Sequence, residues 1–236
     1  MAQLQISSHK NTCRFCRLGS VDYMRAWELQ KELAAVVAAG GPDVLLLLEH
    51  PPTYTLGRRG GEANMLVPRK SLISRGAAVV DTDRGGDITF HGPGQLVGYP
   101  IFDLVRLDTG IGRYLRSLEE ALIRALGAFD VSADRCEGYT GVWVGDEKIA
   151  AIGVKITARR ITQHGFALNV NTDLDYFSHI VPCGIKDRGV TNLRRVLGRE
   201  VALDDVAGHV AEAFGAVFGR EMIETGPDCL FLVNAL

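Results

Sequence analysis

The succession of strand-like and helix-like segments predicts an α+β domain, a mixed sheet with helices on one face. Three observations carry that expectation. Val44 to Leu48 is an unbroken aliphatic run, as in a strand covered on both sides. Two longer segments, Val21 to about Ala39 and Thr109 to Gly127, repeat apolar residues at helical spacing. From Val142 to Val170, apolar stretches alternate with turn signals, the pattern of strands joined by hairpins.

Taken in order, residues 1–12 are polar and read as a flexible tail, and 13–236 as a single domain. Cys13 and Cys16 form a C-x-x-C, but no second pair stands at zinc-finger spacing, and a redox pair belongs at the start of a helix. Cys16 falls at or near the first strand, so the pair is read as incidental. Ser20 is placed to cap the first helix, whose apolar positions are Val21, Met24, Trp27, Leu33 and Val37, and Gly40-Gly41-Pro42 stops it. Glu49-His50-Pro51-Pro52 ends the aliphatic strand, with His50 read as structural. Thr53 to Leu66 contains Gly57, Gly60 and Gly61 with Arg58 and Arg59, and reads as a mobile loop. Pro68 begins a short helix that ends at Gly76, and Ala77 to Val80 is a strand.

Ile88 to His91 then reads as a short strand, Gly92-Pro93-Gly94 as a turn, and Gln95 to Leu104 as a second strand, together a hairpin. Thr109 is placed to cap a long helix with Ile111, Tyr114, Leu115, Leu118, Leu122 and Leu126 on one stripe, read as core. Val142–Val144 and Lys148–Ile156 are strands joined at Gly145-Asp146, and a turn at Ala158–Arg160 leads to a strand from Gln163 to Val170. Asp173 to Ser178 is loop or short helix. Asp204 to Phe218 is the closing helix, with Val206, Val210, Phe214 and Val217 on one side.

Composition excludes several classes. With 236 residues, 47% of them hydrophobic, the chain has apolar surface enough for a core without staples. A formal net charge of −2 argues against a nucleic-acid binder that works by neutralising phosphates. No apolar run approaches membrane-spanning length, and the N-terminus lacks the apolar core of a signal peptide. Five scattered cysteines suit a reducing, cytoplasmic setting better than a disulfide scaffold.

The most informative stretch is Arg84-Gly85-Gly86-Asp87-Ile88-Thr89-Phe90-His91-Gly92-Pro93-Gly94-Gln95. Four glycines flank its polar side chains, and a glycine lets backbone come close to another surface because no Cβ intervenes. That is how a chain builds one wall of a binding site. Continued through Leu96-Val97-Gly98-Tyr99-Pro100-Ile101, the stretch resembles the signature of the octanoyltransferases of lipoic acid synthesis, in the superfamily of biotin and lipoate protein ligases. Two later stretches agree with it: Lys148-Ile149-Ala150-Ala151-Ile152-Gly153 with His164 to Val170, and Val181-Pro182-Cys183-Gly184-Ile185. The resemblance runs from roughly Leu18 to Phe218 and extends to Glu49-His50-Pro51-Pro52. It implies the α+β catalytic fold of those ligases.

Covalent acyl transfer needs a nucleophile, a group that activates it and donors for the oxyanion. Cys183, between Pro182 and Gly184 at the end of an apolar run, is the best nucleophile. A lone cysteine is more often inert core, which is how Cys136 and Cys229 are read. A free thiol ionises near pH 8.5, so a neighbouring cation is required. The resemblance names Lys148 for that part, and as acid and base in turn; Lys155, two residues beyond Gly153, is not selected by the motif. The resemblance also implies substrate-binding roles for Arg84, Gly85, Gly86, Asp87, Ile88, Thr89, Phe90 and His91, for Ala151, Ile152 and Gly153, and for His164, Gly165, Phe166 and Ala167. Small residues at Gly153, Gly165 and Ala167 leave room for a straight acyl chain. His91 and His164 are site residues without an assigned role. Backbone N–H groups of Cys183 and Gly184, or of the glycine-rich loop, are expected at the oxyanion.

The resemblance thus implies transfer of an octanoyl group from octanoyl-acyl carrier protein, through a Cys183 thioester, to a lysine of lipoyl domains. The acceptors would be the lipoyl domains of 2-oxoacid dehydrogenases and the glycine cleavage H protein. Arg58 and Arg59 either meet the acidic carrier or are a solvated surface. No cofactor or metal is expected: the acyl group arrives activated, and no Walker-type loop is present. A monomer is the default. Three rival readings are an ATP-dependent lipoate-protein ligase, a non-catalytic module that binds lipoyl domains or fatty acids, and a metal or redox protein built on Cys13 and Cys16.

Overall fold

The computed structural model describes residues 11–185 and 188–226. The expected tail and Cys229 therefore fall largely or wholly outside the described residues. The larger of two sheets contains β1 (Thr12–Ser20), β2 (Asp43–Glu49), β6 (Gln95–Ile101), β7 (Asp134–Cys136), β8 (Tyr139–Val144), β9 (Glu147–Ile156), β10 (Thr162–Asn169), β11 (Gly189–Val190) and β12 (Glu221–Glu224). Its order is β12-β1-β2-β6-β10-β9-β8-β7, with β11 paired to β9. Pairs β12-β1, β1-β2 and β11-β9 are parallel and the others antiparallel, so the sheet is mixed.

Side-chain alternation along its central strands feeds two cores. On β2, Leu45 and Leu47 face one core while Val44, Leu46 and Leu48 face the other. The first core is closed by α3 (Ile111–Gly127) and α5 (Leu203–Phe218), the second by α1 (Tyr23–Ala38). Helices thus cover both faces of the sheet, not one. The unbroken aliphatic run of β2 required this, because each face of it must be kept from water. A buried leucine such as Leu45 is worth about 1.5–3 kcal/mol there. Cys13 faces the α3/α5 core and Cys16 the α1 core, since three residues apart on a strand means opposite faces. Cys13 is a free thiol and Cys16 is disulfide-bonded, so the two do not bridge each other, and the scattered cysteines are not all unbridged.

Several local expectations are corrected. Ser20 pairs with Glu49 in the sheet, and Asp22 caps α1 instead, its Oδ1 accepting from the N–H of Met24 (2.9 Å) and Arg25 (3.1 Å). The buried stripe of α1 contains Tyr23, Leu29, Leu33 and Val37, while Met24 is exposed. Gly110, not Thr109, is the N-cap of α3, with no side-chain cap bond. Short elements β7, α4 (Leu193–Leu197) and β12 went unread, and β6 ends at Ile101.

The largest correction concerns the supposed loop and hairpin. Thr53–Leu56 is a fully buried strand, β3, central to a second sheet with β4 (Ala78–Asp81) parallel and β5 (Thr89–His91) antiparallel to it. Strand β5 pairs with β3, whereas β6 pairs with β2 and β10, so β5 and β6 are not a hairpin. The Gly92–Gly94 turn carries the chain from the small sheet to the large one. Gly94 has φ 79° and lies against Asn171, where a Cβ would come within 2.8 Å of backbone. Its N–H donates to Glu49 Oε2 at 2.6 Å and its carbonyl accepts from Asn171 N–H at 2.8 Å, which fixes the crossing. No helix among the described residues is long and apolar enough to cross a membrane.

Candidate active site

Where the two sheets meet, a cleft opens. Its walls come from the glycine-rich loop, β8, β9, β10 and the turn that holds Cys183. Of the residues expected at the site, Arg84, Gly86, Asp87, Thr89, His91, Lys148, Ala151, Ile152, Gly153, His164, Gly165, Phe166, Ala167 and Cys183 line it. Ile88 and Phe90 do not. They point into the core of the small sheet, on the opposite side from Thr89 and His91. Gly85 lies behind the wall, its N–H bonded to the Val154 carbonyl at 2.9 Å.

Cys183 stands in a single turn of 3-10 helix, Pro182–Gly184, with φ 57° and ψ 16°. A non-glycine residue in that left-handed region costs roughly 1–2 kcal/mol. The Cys183 N–H donates to the Ile88 carbonyl (3.0 Å) and the Gly184 N–H to the Val181 carbonyl (3.0 Å). Both bonds hold the turn in place. Among the described residues, nothing accepts from the N–H of Gly86 or Asp87.

Lys148 enters the cleft from β9, where the β8–β9 pairing slips by a bulge. It is only 6% exposed. Its Nζ donates to the Thr140 carbonyl at 3.2 Å and lies 4.8 Å from the Trp143 ring. Lys155 is committed elsewhere: its Nζ is 2.6 Å from Asp83 Oδ2.

Arg84 is a second buried cation, 7% exposed. Its Nη2 donates to the carbonyl (2.6 Å) and hydroxyl (2.9 Å) of Thr55, and its Nη1 to the Gly85 carbonyl (3.1 Å). Burial pulls its pKa down from the ordinary value, and the fields of Tyr23 and Cys183 oppose that pull. From Thr55 a polar chain runs on through the site. Gln95 Nε2 donates to Asn169 Oδ1 (2.9 Å), so its Oε1 must accept from His91 Nδ1–H (2.9 Å). His91 Nε2 is then the acceptor facing the Thr55 hydroxyl at 3.3 Å. Asn169 donates to the Thr191 carbonyl, and the Thr191 N–H to the Lys148 carbonyl. The same reasoning makes His50 Nδ1–H a donor to Val21 and Nε2 an acceptor from the Tyr99 hydroxyl, each at 2.7 Å.

His164 occupies a left-handed conformation, φ 56°, with Nε2 bonded to Asp83 Oδ1 at 2.8 Å. Among the described residues its buried Nδ1 has no partner. Burial outweighs Asp83 and lowers the His164 pKa to about 4; burial does the same to His50, also to about 4. His91 is pushed well below its usual value by burial first, then by His50 and Arg84. Burial alone would raise Asp83, but the hydrogen bonds from Lys155 and His164 hold it below the ordinary carboxylate range.

A model of the lipoyl protein ligase A/B catalytic domain matches residues 22–215. The chain belongs to that family. It is 49% identical over 219 residues to an octanoyltransferase of Caldicellulosiruptor bescii, covering 92% of this chain and 96% of the relative. It is 54% identical over 203 residues to an octanoyltransferase of Rubrobacter xylanophilus, covering 85% and 91%. Among solved structures, a bi-partite lipoate protein ligase from Thermoplasma acidophilum superposes with a TM-score of 0.73 at 19% identity, over 96% of this chain and 92% of that one. The biotin protein ligase of Aquifex aeolicus, with biotin and ATP, gives 0.52 at 13% identity over 87% and 70%. Those two likenesses speak for the fold.

In this lipoyl protein ligase A/B domain, the expected family and α+β fold are therefore as read. Residues that the sequence did not mark also line the cleft, among them Tyr23, Tyr99, Tyr139 and Thr140. Tyr99 lies inside the signature, one residue past Gly98, and was within reach of that signal. Tyr23 carries none; burial pushes its pKa up to about 12.

Proposed function

We propose that the chain transfers an octanoyl group from octanoyl-acyl carrier protein to a specific lysine of lipoyl domains, in the cytoplasm, by way of a Cys183 thioester. The observation that carries this reading is that Cys183 and the buried Lys148 line one cleft walled by the glycine-rich loop. The names of the relatives at about half identity agree with the acyl group.

In the proposed mechanism the Cys183 thiolate adds to the thioester carbonyl. The oxyanion faces the Lys148 ammonium and the N–H groups of Gly86 and Asp87, which have no acceptor among the described residues. The tetrahedral species collapses by breaking the bond to the carrier thiol, and Lys148 gives that sulfur its proton. Neutral Lys148 then takes a proton from the attacking amine of the lipoyl domain as the amide forms and Cys183 departs. Thioester exchange is near even in free energy and amide formation is downhill, so no nucleotide is consumed. Arg84, fixed by Thr55, adds positive field at Cys183. The acceptors are the lipoyl domains of 2-oxoacid dehydrogenases and the glycine cleavage H protein.

Intact mass after incubation with octanoyl-acyl carrier protein, without ATP or acceptor, tests this reading. One octanoyl group should appear on the wild type, removable by hydroxylamine, and none on Cys183→Ala. An unmodified wild type that transfers only with free octanoate and ATP would replace the reading with that of a ligase.

A further inference from the structure

Glu119 is a carboxylate on α3 with no exposed surface, in a helix face otherwise given to the apolar core. Burying a charge costs several kcal/mol unless it is well paired, so its partners bear on why it is there. Arg116 Nη1 lies 2.7 Å and Arg135 Nε 3.2 Å from Oε2. The other oxygen, Oε1, accepts from the Gly141 N–H at 3.1 Å.

That N–H belongs to the same peptide unit as the Thr140 carbonyl, and the Thr140 carbonyl accepts from Lys148 Nζ. This peptide lies beyond the β8–β9 ladder, whose first β8 register point is Val142. Gly141 itself has φ 132°, and a Cβ there would lie 2.6 Å from the Ala150 carbonyl and 3.3 Å from Lys148 Cε. The stem of Lys148 therefore runs directly over the Gly141 backbone, on a peptide that Glu119 orients from behind.

We propose that Glu119 is a positioning residue for Lys148. Its carboxylate fixes and polarises the Thr140–Gly141 peptide, so that the Thr140 carbonyl takes one ammonium proton and holds the others toward Cys183. Arg116 and Arg135 hold that carboxylate in place. This rests on the reading of Lys148 and Cys183 as a working pair.

The test is the rate of Cys183 alkylation by iodoacetamide against pH, with acyl-enzyme formation from octanoyl-acyl carrier protein as a second readout and circular dichroism for folding. Glu119→Ala should slow alkylation at pH 7 by about tenfold, the loss of one charge-assisted contact, and converge with wild type in alkali. Glu119→Asp keeps the charge, withdraws the oxygen from Gly141, and should show the same slowing if the alanine variant does not fold. Glu119→Gln keeps an acceptor and should stay within about threefold of wild type. Folded Ala or Asp variants with the wild-type profile, beside a slowed Lys148→Met, would overturn this inference and leave the Lys148–Cys183 pair standing. An unchanged Lys148→Met would remove the pair, and the inference with it.

Discussion

At Thr55 one hydroxyl accepts from Arg84 and faces the acceptor nitrogen of His91, so a single oxygen joins the buried cation to the buried imidazole. Thr55→Val keeps the shape and removes both links. It should lower stability by about 1–3 kcal/mol, seen as a reduced urea midpoint, because a histidine nitrogen and part of a guanidinium are left unsatisfied away from water. Acyl-enzyme formation should slow as well, since Arg84 faces Cys183, and Thr55→Ser should restore both. A stable, fully active valine variant would show that Arg84 is held by its bonds to backbone alone. No reading of the sequence found Thr55. Arg84, His91 and Cys183 stood out because glycines and proline mark their neighbourhoods, but Thr55 meets its partners only across a sheet formed by residues up to 36 positions away. The small sheet was hidden for the same reason. Thr53–Leu56 is four residues long, and the glycines and arginines after it drowned its β-forming pattern.

Elements show where local chemistry decides and where it does not. Ser20 and Asp22 are both good N-caps two residues apart, and spacing cannot choose between them. The sheet chooses, because Ser20 is still paired with Glu49 while Asp22 is free to turn its carboxylate onto the helix. Asp22→Ala should cost about 1 kcal/mol of thermal stability, whereas Ser20→Ala should cost little; equal losses would void the assignment. The turn at Gly92–Gly94 was likewise correctly read as a turn and wrongly as a hairpin, since turn residues say that the chain reverses but not which strand it then joins. The glycine of β9 matters differently. A Cβ at Gly153 would stand 2.8 Å from the Gly85 carbonyl, in the loop that Val154 pins by its own carbonyl. Gly153→Ala should therefore push the loop off β9, at about 1–3 kcal/mol in stability and with slower acyl-enzyme formation. An alanine variant with native stability and rate would mean that the loop has slack that its two contacts with β9 do not reveal.

On the scale of the whole molecule, the two sheets and α1 enclose a set of histidines that the fold keeps neutral. His50 and His164 have pKa values lowered to about 4 by burial, and burial also holds His91 well below its usual value. The unfolded chain, with histidines near 6.5, binds protons that the native state refuses. Stability is thus complete above about pH 6.5 and is lost as pH falls from there toward 4, at a cost on the order of 3 kcal/mol for each of His50 and His164. Asp83 acts in a lower window: its depressed carboxyl contributes stability above the usual carboxylate range and surrenders it below. Domains are stable by only about 5–15 kcal/mol, so two such histidines remove a large share of that stability as pH falls toward 4. Urea midpoints measured from pH 7.5 to 4.5 should fall steeply below pH 6.5. His50→Gln, whose amide can donate to Val21 and accept from Tyr99, should flatten the fall by about half the His50 and His164 share. A midpoint level down to pH 5 would mean that the interior accepts these protons, and that the neutral tautomers assigned to His50 and His91 do not persist.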